Sequence, residues 1–172
     1  MVASSLVGNI IDELGLSFIK LMHESGAGIL GNPLPLPSHE LQSALVQAAH
    51  KHDLITLAHA LTQKDTLAIL AAGTDGLAHC FCDEAPGDEL LAAYRKNNSF
   101  LIPTLVALAT FTGSEKQSTE YFVQHPLVSK LLDDDGKTCY CGRMMMGKPG
   151  CKSEYAYQTV RLLHESGIDI VA

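Results

Sequence analysis

Hydrophobic positions along this chain follow two spacings. Short, nearly continuous apolar runs occupy residues 16–22 (LSFIKLM), 54–58 (LITLA), 76–78 (GLA), 100–105 (FLIPTL) and 168–172 (IDIVA). Runs this short and apolar on both faces predict strands buried in a parallel sheet. Between them lie stripes at helical spacing. Leu6, Ile10, Ile11 and Leu14 predict a helix over residues 4–14. Leu41, Ala44, Leu45, Ala48 and Ala49 predict a second, starting at an N-cap on Ser38. A third begins near Gln63, capped by Thr62 and closed by Gly73, and a fourth covers 87–97. The last covers 153–166, burying Tyr157, Val160 and Leu163 or His164.

The strands begin near residues 16, 54, 76, 99 and 168, with helices between them and no hairpin signal. The two shortest repeats, 22 and 23 residues, are close to the minimum for one β-α unit of a barrel, whereas a closed eight-stranded barrel takes roughly 250 residues. The 172 residues therefore predict an α/β fold of (β/α)8 TIM-barrel type, incomplete, with about five parallel strands and the first strands missing. The whole chain reads as one domain. An irregular insertion at about 110–152 is expected over the rim, with one helix over 116–132.

Composition narrows the partners. A formal charge of −7 without any run of Lys and Arg argues against nucleic acid. No apolar run approaches the roughly 20 residues of a membrane span, and the N-terminal residues have no basic start of a secretory signal. With 47% hydrophobic and 18% charged residues, a cytoplasmic globule acting on a small molecule is expected, and a homo-oligomer is left open. The cysteines (80, 82, 139, 141 and 151) are odd in number and lack Cys-x-x-Cys spacing, so no disulfide framework is expected. Cys139, Cys141 and Cys151 offer a zinc only three thiolates, and Cys80 and Cys82 read as small apolar packing.

The candidate chemistry sits where strands end. His59 and His79 each close an apolar run, and the unit between them reads as β-α-β, which delivers both to the C-terminal edge of the sheet, where parallel α/β folds place their sites. They read either as metal ligands or as a hydrogen-bonded pair in a polar rim. Lys20 lies mid-strand, where burial disfavours an ammonium; it must be paired, shifted in pKa or chemically altered. It also fits a Schiff-base lysine. His23 reads as a solvated or substrate-contacting loop residue. Three patterns are decoys. The glycines of residues 26–31 are followed by Asn32-Pro33 and open no helix, so they fail as a dinucleotide fingerprint. His50-Lys51-His52 and Gly73-Thr74-Asp75 lie at the opposite, N-terminal face of the sheet.

Several pieces together carry a resemblance: Phe18-Ile19-Lys20-Leu21-Met22 with Ser25-Gly26, Leu57-Ala58-His59-Ala60 with Thr62, Gly76-Leu77-Ala78-His79, Ile102-Pro103-Thr104-Leu105, and the stretch from Arg161 to Ala172. In order and spacing they resemble the metal-dependent amidohydrolase superfamily, in its branch of imidazolonepropionase-like, Xaa-Pro dipeptidase-like and ochratoxin-hydrolysing enzymes. The likeness covers nearly the whole chain outside roughly 113–152. It implies hydrolysis of C–N bonds in an amide, cyclic amide or N-acyl amino acid. It implies Lys20, carboxylated by carbon dioxide, and His59 and His79 as ligands of two divalent metals, expected to be zinc. Such ions would bring the pKa of a bridging water toward ~7. The superfamily's first-strand His-x-His and its eighth-strand acid/base Asp have no counterpart in this sequence. A catalytically inactive remnant, serving as a folding or dimerising module, is the alternative.

Overall fold

The computed structural model describes residues 16–28, 33–113, 116–138 and 148–171. Four parallel strands form one sheet in chain order: β1 (Phe18–Met22), β2 (Ile55–His59), β3 (Gly76–Ala78) and β4 (Phe100–Ile102). Helices α1 (His39–His50), α2 (Gln63–Ala71) and α3 (Asp88–Asn97) make the crossovers. Beyond β4, Ile170 bridges Leu101 in parallel, with Leu101 N–H donating to the Asp169 carbonyl and Val171 N–H to that of Leu101. The predicted fifth strand is thus reduced to one bridge. An unbroken chain-order parallel sheet with a helix after each strand is the arrangement of a (β/α)8 barrel, here incomplete.

The register sorts the side chains. Lys20 pairs with Leu57, Met22 with His59, Leu57 with Gly76 and Gly76 with Phe100. Paired residues share a face, so Phe18, Lys20, Met22, Ile55, Leu57, His59, Gly76 and Phe100 look one way. Leu21, Ala58, Leu77 and Leu101 look the other, under the helices, and form the buried core with Val46, Ile69, Leu70, Leu90, Tyr94 and Leu163. The first face is open. Phe18 is 47% exposed, Met22 59% and Ile55 48%, whereas burial on both faces is expected of these strands. The reason is closure: a barrel buries that face only against strands across its interior, and none stands there among the described residues.

Helix α1 starts where expected, the Ser38 hydroxyl accepting the Leu41 amide, and Thr62 caps α2 through Asp65. Details differ elsewhere. In α1 Gln42 and Val46 join Ala48 and Ala49 in the buried set while Leu41 is exposed. Strand β4 ends at Ile102, because Pro103 supplies no amide for another ladder bond. The chain then turns at once into α4 (Leu105–Thr112), whose first residue is expected in the strand and whose last three in the irregular insertion. Its residues are too uniformly apolar for a helical stripe to stand out. Helix α5 (Lys116–Gln124) stops short of 132, α6 (Asp134–Thr138) is one short turn, and α7 (Ser153–Glu165) buries Ser153, Ala156, Thr159 and Leu163, with His164 exposed. The helix expected over 4–14, the glycine decoy beyond Gly28, and Cys139 and Cys141 lie outside the described residues.

Candidate functional site

His59 is the last residue of β2, and its carbonyl accepts the His23 amide at 3.1 Å, which extends the ladder one step past β1. His79 follows β3 directly. Strict alternation would send it to the Leu77 side, among the helices. Instead its φ is 114°, which breaks the pleat, and its ring meets that of His59 edge-on with centroids 5.0 Å apart. Its Nδ1 lies 3.0 Å from the Thr104 hydroxyl, and Thr104 also has a positive φ, 47°. Backbone of this kind costs about 1–3 kcal/mol per residue outside glycine and persists where surrounding structure imposes it. Here the strain falls on both partners of one hydrogen bond.

The electrostatics keep His79 neutral. Burial first, then the neighbouring His59 and Lys20, push its pKa down to about 4. A neutral imidazole with one nitrogen on Thr104 has its other nitrogen available. Lys20 lies on the same open face, one pleat below His59. The expectation of a buried lysine is corrected: the residue is exposed, since β1 edges the sheet and no strand among the described residues covers its open face. Partial burial still disfavours the ammonium and lowers its pKa. His59 and His79 thus meet at the rim, and Lys20 stands one pleat below them on the same face, near enough to act on the charge of His79.

Other groups complete the surroundings. Glu24, in the loop after β1, places Oε2 3.1 Å from His59 Nε2, while its Oε1 accepts the Gly26 amide at 2.6 Å. The expectation for His23 is corrected as well. It is 5% exposed, its Nδ1 2.7 Å from Gln42 Nε2 and its Nε2 facing Asp65 Oδ1 at 3.7 Å. Sequence reasoning passed over Glu24; the one available signal was its place two residues past a parallel strand, where site loops begin. A cavity of about 640 Å³ opens beside the two histidines, walled by Leu61, Leu105, Val106 and Phe111.

Both sheet-face decoys stay away from this rim and meet each other instead. Asp75 Oδ2 accepts His50 Nε2 at 2.8 Å, the Thr56 amide at 2.6 Å and the Thr56 hydroxyl at 2.8 Å, tying α1, β2 and β3 together at the N-terminal face. The described cysteines are buried or half-buried thiols. Burial raises Cys80 to about 12 and also lifts Cys82 and Cys151. Among the described residues no group of three or more His, Cys, Asp and Glu is disposed to hold a metal. Two imidazoles and a lysine fit only part of a metal shell; catalytic zinc takes three protein ligands and a water.

Fold and rim together are those of a parallel β/α barrel segment with two histidines at its C-terminal edge and a lysine one pleat below them. The same fold occurs in three solved enzymes. One is a Xaa-Pro dipeptidase with methionine in its active site (16% identity, TM-score 0.57), another an A. niger ochratoxinase (18%, 0.59). The third is a prolidase complexed with N-methylphosphonate-L-proline (14%, 0.59). They match 98%, 98% and 97% of this chain, which spans 36%, 33% and 35% of theirs, about a third of each. No family sequence model matches the chain, and no curated protein does. Among the described residues no helix is long and apolar enough to cross a membrane.

Proposed function

We propose that this rim is part of the metal centre of a hydrolase that cleaves C–N bonds in small amides, dipeptides or N-acyl amino acids. The observation that carries the reading is the pair of imidazole rings 5.0 Å apart at adjacent strand ends, on the face that also bears Lys20. His59 and His79 would hold a divalent cation, zinc being one that neutral imidazoles suit. Bound there, metal would supply a water of lowered pKa and polarise the scissile carbonyl.

The chain's own residues support that role. His79 stays neutral, so protons do not compete for its free nitrogen. Partial burial lowers the pKa of Lys20 and so favours its free amine, and amine plus carbon dioxide would give a carbamate anion and a proton, turning a cation into an oxygen donor. The apolar walls of the adjoining cavity suit a hydrophobic acyl or side-chain group. The names of the fold's solved neighbours, dipeptidase, prolidase and ochratoxinase, point the same way.

The same lysine favours a second reading, imine chemistry, because a solvent-reachable amine with a lowered pKa is also a nucleophile. One experiment separates the readings. The chain is loaded with zinc and bicarbonate and assayed for release of amino acid from Xaa-Pro dipeptides and N-acyl amino acids. Hydrolysis that His59→Ala and His79→Ala abolish supports the hydrolase. Metal-independent trapping of a carbonyl substrate on Lys20 by borohydride supports the lyase. Neither result, in a chain that also retains no zinc, leaves the inactive remnant.

A further inference from the structure

His59 Nε2 faces a carboxylate oxygen of Glu24, and a carboxylate oxygen facing a ring nitrogen accepts; Nε2 is therefore the donor, and in the neutral ring the lone pair falls on Nδ1. Glu24 is itself held from three sides. Its other oxygen takes the Gly26 amide. Both sequence neighbours lie against one buried carboxylate on α2: Ser25 donates its hydroxyl to Asp65 Oδ2 at 2.5 Å, and His23 faces Asp65 Oδ1 with Nε2 at 3.7 Å, beyond hydrogen-bond reach, while Gln42 holds its other nitrogen. Asp65 is 4% exposed and stands at the capped start of α2. That His23 nitrogen is buried and has no hydrogen-bond partner among the described residues, a cost with no return to stability by itself. So much buried polarity around one short loop serves to aim what lies between its anchors.

We propose that Glu24 is a positioning residue of the rim site, which fixes the ring of His59 and directs its Nδ1 toward the space shared with His79, and that the Gly26 amide and the bond from Ser25 to Asp65 hold Glu24 in place. The inference rests on the metal-centre reading only for its consequence. Imidazole ligands that donate their second N–H to a carboxylate lose about 10–100-fold in metal affinity when that partner is removed.

The test uses the full chain, Glu24→Ala and Glu24→Gln, each checked for folding by circular dichroism. In metal-free protein, 1H–15N spectra of the imidazoles are expected to show a slowly exchanging Nε2–H for His59. It should vanish in Glu24→Ala, and in Glu24→Gln it should remain, exchanging faster, since an amide oxygen accepts without charge. Zinc affinity, by competition with a chromogenic chelator, should fall about 10–100-fold in Glu24→Ala and less in Glu24→Gln. An Nε2–H that persists unchanged in both variants overturns the proposal. A Glu24-dependent N–H in a chain that binds no zinc upholds the positioning role and overturns the metal-centre reading instead.

Discussion

Removing the Asp75 carboxylate should cost far more than removing the histidine paired with it. Asp75 accepts two hydrogen bonds from Thr56, a residue with no exposed surface, and one from His50, whose side chain is 44% exposed. In Asp75→Ala the Thr56 amide is left buried without an acceptor, at about 1–3 kcal/mol, and the hydroxyl loses a charged partner worth about 1 kcal/mol more. The total is about 2–4 kcal/mol, a large part of the 5–15 kcal/mol that holds a typical domain together. His50→Ala breaks only a solvent-screened pair and should cost at most ~1 kcal/mol. Urea unfolding followed by far-UV circular dichroism measures both. Equal losses, or a loss under about 1 kcal/mol for Asp75→Ala, would refute the assignment of the Gly73-Thr74-Asp75 turn to structure through Thr56.

Other outcomes follow from the same geometry. Burial pushes the Asp75 carboxyl up, but its bonds from His50 and Thr56 outweigh this and leave its pKa below the ordinary value. The folded pKa is the lower one, so this stabilisation is complete above the unfolded value of about 3.9 and fades as pH falls through the folded value. Asp75→Asn should flatten that acid limb in unfolding curves. A Cβ on Gly76 would stand 2.5 Å from the Phe100 ring, so Gly76→Ala should lower stability by about 1–3 kcal/mol, readable by thermal unfolding. His79 titrates near 4 when folded and near 6.5 when unfolded, so its contribution is full above 6.5 and is lost as pH drops toward 4. NMR at pH 6 in metal-free chain should find its ring neutral. Cys80, held up at about 12 by burial, should resist thiol reagents at pH 8 until the chain is unfolded.

The repeated β-α order was legible because short apolar runs and helical stripes differ in period, and because Ser38, Thr62 and Gly73 punctuate them with caps. His59 and His79 were legible for the same reason: each ends a run. What escaped was whatever depended on the third dimension. Periodicity reports that the strand around Lys20 is apolar on both faces, but only a closed barrel buries both, so the exposure of Phe18, Lys20 and Met22 could not be read from it. Helix α4 carries no polar face to betray its period. His23 looked like a loop residue; its burial depends on Gln42 and Asp65, 19 and 42 positions away. Glu24 escaped because a lone acidic residue in a loop has no signature until its partner is seen. The turn of His79 toward His59 rests on a single backbone angle that its residue type disfavours.

The account turns on the claim that Lys20, His59 and His79 form one cation-binding rim. Its most direct measurement is zinc retained per chain after equilibrium dialysis with bicarbonate present, in the native sequence and in His59→Ala, His79→Ala and Lys20→Ala. The account predicts bound zinc in the native chain, none in either histidine variant and a reduced amount in Lys20→Ala. Zinc retained equally by all four, or by none, would contradict it.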